Sequence, residues 1–366
     1  MGAPYRIGVL PGDGIGPEVV PVAVEVASVA ARAAGLAVEW VELPAGLAAY
    51  EQFGETLPPQ TVETLRGCQG WVLGPVEHHR YDPRRPGMRN PSGFLRKHFD
   101  LYANVRPART FPGVPTRYEH VDLVVVRENT EGFYPDRNVL EGDAELRVTQ
   151  DVVVSLRVVT RQACVRIAEY AFALAAQRAA QRGRPGQVTA VHKANVLRRG
   201  DGLFLECCRE VAARFPEVAF DDVHVDAASY FLVRDPARYD VMVTTNLFGD
   251  ILSDQAAGLV GSLGLAPSLN AGDRYAMAQA VHGSAPDIAG RGIANPTAEL
   301  LSVAMLFEWL GRRHGDAAAT DAAGLVEDAV RATLARGVHT PDLGGTHTTA
   351  QFSRALQEAL RAATMG

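Results

Sequence analysis

The chain has no apolar run long enough to cross a bilayer; every hydrophobic stretch is short or interrupted by charge. Its 366 residues include only four cysteines, Cys68, Cys164, Cys207 and Cys208. They show neither the paired spacing of a zinc site nor the density of a disulfide framework. Aromatic residues make up 7% of the chain, and no basic stripe interleaves with them, which argues against a nucleic-acid partner. There is no internal repeat and no low-complexity segment. The opening residues MGAPYRIGVL lack a basic segment followed by a long apolar one, so no secretion signal is expected. A reduced, cytoplasmic protein with no membrane partner is the expectation.

What is present is ordinary globular composition: 47% hydrophobic, 21% charged and a net charge of −6. This length predicts two domains. Arg6–Leu10, Val38–Leu43 and Gly70–Leu73 read as strands, and the segments from Gly16 to about Gly35 and Pro58–Arg66 read as helices between them. That alternation predicts an α/β protein with a mostly parallel sheet covered on both faces. Glycines at 12, 14 and 16 open the first turn. They miss the G-x-G-x-x-G dinucleotide fingerprint, because the third glycine comes one residue early.

Val241–Gly258, VMVTTNLFGDILSDQAAG, reads as a buried strand turning into a helix. Asp250 and Asp254 fall four apart on that helix, roughly 5–6 Å from each other on one face, where like charges repel. The pair is either solvated on an outer face or neutralised by a hard divalent cation such as Mg²⁺ or Mn²⁺. Arg96, Arg106 and Arg127 lie at element ends beside apolar segments. Singly, each suits a surface ion pair; together, three guanidinium forks suit a di- or tricarboxylic ligand. Lys193 follows a strand at Val188–Val191, and Asp222–Ala227 reads as a strand holding Asp226. Pro135–Gln150 reads as irregular and charged, whereas Arg161–Arg182 and Thr297–Gly311 are helices.

Taken in order, GDGIGPE, LYANVRP, VRENTEG, HKANVL, NLFGDILSD, HGSAPDIAG and TPDLGG make the chain resemble the isocitrate/isopropylmalate dehydrogenase family. These are metal-dependent β-decarboxylating dehydrogenases, and the resemblance runs over nearly the whole sequence. It implies a two-domain α/β/α fold distinct from the standard Rossmann one. Residues 1–99 with 256–366 would form a large NAD-binding domain, and residues 100–255 a smaller domain. It implies a homodimer, or a tetramer, with active sites shared between subunits and an arm within about 134–158 clasping the second subunit. Arg96, Arg106 and Arg127 would bind substrate carboxylates. Asp250 and Asp254 would hold Mg²⁺ or Mn²⁺ with Asp226 contributed across the interface. Lys193, also from the partner subunit, would assist removal of the hydroxyl proton, and Tyr134 would protonate the carbon left after CO₂ departs.

The resemblance also places His282, Gly283, Ser284, Ala285, Asp287, Ile288 and Asn295 at the cofactor. A carboxylate at Asp287 suits the ribose hydroxyls and repels a 2′-phosphate, which favours NAD; NADP-using relatives carry a basic residue and a tyrosine at 287 and 288. Around the malate substituent, isopropylmalate enzymes place a Glu and two leucines where this chain has Arg89, Ser92 and Gly93. Isocitrate enzymes place Ser and Asn where it has Asn90 and Ser92. The pocket is therefore expected to be polar and to take an isocitrate- or homoisocitrate-like acid. The alternatives are 3-isopropylmalate, tartrate or D-malate, and, in another class, a non-catalytic regulatory subunit of a heteromeric dehydrogenase.

Overall fold

The computed structural model describes residues 3–82, 84–134, 138 and 144–365. The chain divides into two compact units. One comprises residues 1–95, 111–116 and 261–366, and the other residues 96–110 and 117–260.

In the first unit, β1 (Tyr5–Leu10) lies between β2 (Val38–Glu42) and β3 (Gly70–Leu73), parallel to both. Four consecutive buried residues in β3 match a strand covered on both faces. Helix α1 (Gly16–Ala33) has Pro17 in its first turn and buries Val19, Val20, Ala23, Val26, Ala27 and Ala30, one face at helical spacing. The helices α2 (Leu47–Phe53) and α3 (Pro59–Arg66) follow. Then comes α4 (Pro91–His98), within which the boundary to the second unit falls.

The second unit carries β4 (Ala103–Arg109), β5 (Asp122–Glu128) and a separate hairpin, β6 (Glu145–Thr149) with β7 (Val152–Ser155). Next come α5 (Arg161–Arg182), β8 (Gln187–His192), α6 (Gly200–Ala212), β9 (Ala219–His224), α7 (Val225–Arg234), β10 (Val241–Thr244) and α8 (Asn246–Leu259). The strand order is β4-β5-β10-β8-β9. All neighbours are parallel except β4, which runs against β5. Leu123, Val125, Met242, Ala228, Leu232, Leu252 and Ala256 form one buried cluster that seats α7 and α8 on this sheet. Each of its leucines, its valine and its methionine contributes about 1.5–3 kcal/mol when fully buried.

The chain then returns to the first unit with β11 (Leu269–Ala271) and β12 (Ala276–Ala278), an antiparallel pair whose second strand joins β3 in parallel. It closes with α9 (Thr297–His314), α10 (Ala317–Ala335) and α11 (Thr349–Met365). Helix α9 is buried on almost every side.

Two sequence expectations are corrected. Asp226 is not on a strand: β9 stops at His224, and Asp226 stands in the first turn of α7. There a carboxylate complements the unpaired N–H groups, while Ala228 and Leu232 bury themselves four apart. The stretch expected to be irregular contains a strand, β6, because Leu146 and Val154 face each other across a hairpin. Of the expected arm, residues 135–137 and 139–143 lie outside the described residues. Among the described residues no helix is long and apolar enough to cross a membrane.

Candidate active site

In the second unit the parallel strands deliver chemistry at one edge. Strands β5, β10, β8 and β9 end together, as Arg127 pairs with Thr244, Thr244 with Val191, and His192 with His224. Beyond those ends come Arg127 itself, Asn246 opening α8, Lys193, and Asp226 opening α7. Ligands of α/β proteins bind at this carboxyl edge. The antiparallel β4 brings Asn104 beside Arg127 and places Arg106 two pairs further in, opposite Val125.

Arg106 and Arg127 converge on the aspartates of α8, and the charge of Arg96 is felt at Asp250. Arg127 is 2% exposed; its Nε donates to Asn246 Oδ1 at 2.9 Å, and its Nη1 donates to Asp250. Arg106 donates through Nε to Asn104 Oδ1 at 2.6 Å and through Nη1 to Ser253 Oγ at 2.8 Å. The same Nη1 is 3.2 Å from both Asp250 Oδ1 and Asp254 Oδ1. Arg96, also buried, donates to Asn129 Oδ1 at 3.3 Å. Tyr134 Oη donates to Asp250 Oδ2 at 2.6 Å, and the Arg127 guanidinium lies 5.0 Å from the centre of the Tyr134 ring.

Charge is unevenly shared in this cluster. Burial pushes the Asp250 carboxyl up, but Arg127 and Arg106 outweigh it and hold the group below the ordinary carboxylate range. Partial burial and the neighbouring Asp250 charge raise Asp254 against the pull of Arg106. Arg106 is pushed down to about 10, first by burial and then by Arg127. Three cations thus face two carboxylates of unequal acidity, a setting that favours an added anionic ligand.

Lys193 is the first residue beyond β8, and its Nζ donates to Asp226 Oδ1 at 2.5 Å. That bond lowers the Asp226 carboxyl, whose side chain is 69% exposed. Among the described residues no three His, Cys, Asp or Glu side chains gather to hold a metal within one chain. Asp250 and Asp254 are therefore a two-carboxylate, all-oxygen donor pair, the chemistry a hard divalent cation prefers but short of a full set.

The first unit carries the other expected residues. Asn90 Oδ1 accepts from Gly93 N–H at 3.2 Å in the first turn of α4, and its Nδ2 meets His78 Nδ1 at 2.5 Å. Ser92, 2% exposed, donates to Gln279 Oε1 at 2.8 Å. The loop after β12 runs through His282, Gly283, Ser284, Ala285, Asp287 and Ile288. Burial lowers the His282 imidazole; its Nδ1 meets Gly283 O at 3.0 Å, while its Nε2 has no hydrogen-bond partner among the described residues. Ser284 O accepts from Ile15 N–H at 2.9 Å. At Gly14, where φ is +56°, a Cβ would sit 2.0 Å from that oxygen, so the early glycine turn docks directly under the loop. Ala285 has a φ of 39°, an uncommon conformation for a non-glycine residue, and Asp287 is exposed. Asn295 donates to Asp342 Oδ2 at 3.1 Å and accepts from Thr297 N–H at 3.0 Å.

The model of the isocitrate/isopropylmalate dehydrogenase family matches residues 6–357. The chain belongs to the isocitrate/isopropylmalate dehydrogenase family. It is 47% identical over 360 residues to an isocitrate/homoisocitrate dehydrogenase of Thermus thermophilus, covering 98% of this chain and 99% of the relative. It is 41% identical over 357 residues to a 3-isopropylmalate/3-methylmalate dehydrogenase of Methanocaldococcus jannaschii, covering 98% and 99%. The crystal structure of isocitrate dehydrogenase from Methylococcus capsulatus superposes with a TM-score of 0.83 at 44% identity, covering 98% of this chain and 99% of that one. The protein is accordingly a dehydrogenase of this family, and its chemistry is the oxidative decarboxylation of a hydroxy acid.

Within this family site, reading the sequence missed the neutral side chains that orient the arginines. Asn104, Asn129, Asn246 and Ser253 are all buried and each receives a guanidinium bond. The one available signal was an amide or hydroxyl inside a largely buried strand or helix, as with Asn104 in Ala103–Arg109.

Proposed function

We propose that the protein is an NAD-dependent, Mg²⁺- or Mn²⁺-requiring dehydrogenase that oxidatively decarboxylates an (R)-malate-type 2-hydroxy diacid with a polar substituent, such as isocitrate or homoisocitrate. What carries this reading is the convergence of Arg106 and Arg127 on Asp250 and Asp254, with Arg96 on the same unit. In it, Arg96, Arg106 and Arg127 clamp the substrate carboxylates, for which bidentate forks are suited. Asp250 and Asp254 hold the metal, and Asp226 of a second copy supplies the carboxylate that one chain lacks. When bound, the metal polarises the carbonyl oxygen and stabilises the negative charge that develops as CO₂ leaves, while nicotinamide accepts the hydride.

Lys193, bonded to Asp226, takes up the hydroxyl proton. Tyr134, whose hydroxyl already points at Asp250, returns a proton to carbon. Asp287, exposed on the loop after β12, accepts from the adenosine ribose hydroxyls and disfavours a 2′-phosphate. The hairpin β6–β7 exposes Leu146, Val148, Val152, Val153 and Val154, a surface that a second copy of the chain covers in a homodimer.

The polar side chains on and before α4 (Asn90, Ser92 and His78) favour a polar substituent, and the Thermus thermophilus relative is named for isocitrate and homoisocitrate. Steady-state kinetics with isocitrate, homoisocitrate, 3-isopropylmalate, tartrate and D-malate, each with NAD and with NADP, test the proposal. The highest kcat/KM is expected for isocitrate or homoisocitrate with NAD. A preference for 3-isopropylmalate would mean that Gly93 merely leaves room. Replacing Asp287→Lys with Ile288→Tyr should shift the ratio of efficiencies toward NADP; an unmoved ratio overturns the assignment of Asp287.

A further inference from the structure

The Asp201 carboxylate is fully buried in the first turn of α6 and lies outside the set of groups assigned above to substrate, metal or cofactor. Its Oδ2 accepts the backbone N–H of Lys193 at 2.5 Å. Its Oδ1 accepts from Arg157, two residues beyond the end of β7. The Arg157 side chain is 11% exposed and extends to Thr245 Oγ1, 3.4 Å away, at the N-cap position of α8. The guanidinium also lies over the rings of Phe133 and Phe248, at 5.6 and 5.9 Å. One carboxylate therefore ties together the turn bearing Lys193, the strand returning from the exposed hairpin, and the start of the helix bearing Asp250 and Asp254.

A buried carboxylate is tolerated only when its charge is paired and hydrogen-bonded, so removing either partner strands the other. The bond to a backbone N–H is directional and sets the orientation of the peptide from which the Lys193 side chain leaves. Misplacement of a reacting group by about 1 Å can cost about 100-fold in rate. A plain fold staple would hold the same elements together without affecting the reaction specifically. The two roles separate in their kinetics.

We propose that Asp201, braced by Arg157, is a positioning residue for Lys193: it acts on turnover through the lysine and leaves substrate and cofactor binding largely alone. The proposal rests on the reading of Lys193 given above. The test is a double-mutant cycle on the full-length enzyme with Asp201→Asn, Lys193→Met and the double variant, using the best acid of the substrate panel. Asp201→Asn is expected to lower kcat at least about 30-fold, with both KM values within about threefold. In the Lys193→Met background the same substitution should change the residual rate by less than about threefold, since the group it positions is gone.

An Asp201→Asn effect of equal size in both backgrounds overturns the proposal and leaves a fold staple. Wild-type turnover by Lys193→Met alone removes the assignment of Lys193, and this inference with it. Should Asp201→Asn fail to fold, Arg157→Lys takes its place in the same cycle. It keeps the charge and shortens the reach, and the same non-additivity is expected; additivity overturns the proposal.

Discussion

Arg127 crosses helix α8 directly over Gly249: a Cβ at that glycine would lie 2.6 Å from both Cβ and Cγ of the arginine. The glycine is what lets a 2%-exposed guanidinium reach Asn246 and Asp250 on the same helix. Gly249→Ala should force the arginine stem or the helix aside. The expected result is a stability loss of about 1–3 kcal/mol and a drop in kcat/KM well beyond that of Gly258→Ala, where a Cβ meets open space. Thermal melts and steady-state kinetics on both variants check this.

Tyr134 donates its hydroxyl to Asp250 Oδ2 at 2.6 Å. Tyr134→Phe keeps the ring beside Arg127 and deletes the acid. Turnover is expected to fall about 10²- to 10⁴-fold, with the KM for the hydroxy acid little changed. Equal turnover by the two proteins would remove Tyr134 from the proton path.

The two carboxylates of α8 differ in acidity, Asp250 being held down by Arg127 and Arg106 and Asp254 being raised by burial and by Asp250. As pH falls, Asp254 is therefore the first of the pair to take a proton. The divalent-ion concentration giving half-maximal rate should therefore rise on acidification, with Asp254 giving way before Asp250. Chelator treatment should abolish activity and Mn²⁺ restore it, and Asp254→Asn should need about tenfold or more Mn²⁺. Metal titrations at several pH values measure this; undiminished activity in chelator sinks the metal reading.

Glu299 is fully buried in the first turn of α9, and one oxygen takes the Ala280 N–H at 3.1 Å while the other has no hydrogen-bond partner among the described residues. Burial raises its carboxyl from 4.5 to about 8. The folded chain thus binds more protons than the unfolded one between those values. The associated stability is complete below pH 4.5 and is lost as pH rises through about 8. Melting temperatures of the native protein should decline across that window, and Glu299→Gln should flatten the decline. Parallel curves for the two proteins would show that Glu299 does not titrate in the fold.

The hairpin β6–β7 sets Leu146 opposite Val154, 53% and 42% exposed. If a second copy covers this pair, Leu146→Asp with Val154→Asp should yield monomers in light scattering. Activity should disappear with the dimer, because Asp226 of the second copy completes the metal site in the proposed arrangement. A monomeric native protein with full activity contradicts that arrangement.

The local code reads well where one short segment contains its own instructions. Pro17 opening α1 and the apolar spacing behind it are of this kind, as is the strand-to-helix sequence around Asp250 and Asp254. It reads poorly where a partner far along the chain supplies the cap. Helix α2 begins after Gly46, which has no side chain to cap it; its Leu47 N–H is taken by Asp13 Oδ1 at 2.8 Å, 34 residues away. The strand expected through Asp226 ended early for a related reason: the β-prone run Asp222–Val225 carries no visible stop. Only the buried contacts of Ala228 and Leu232 make the helix the better choice.

From its residues alone the chain determines which reactive side chains exist, that Asp250 and Asp254 share a helical face, and that the turn at Gly12, Gly14 and Gly16 misses the standard dinucleotide fingerprint. Those are properties of spacing, and spacing survives in a linear string. The tertiary structure decides which arginine meets which aspartate, that Asn104, Asn246 and Ser253 aim the guanidinium groups, and that Asp201 braces Lys193. These depend on strand register and on helices docking on a buried sheet, and they form only when residues remote in sequence are brought within hydrogen-bond distance of one another.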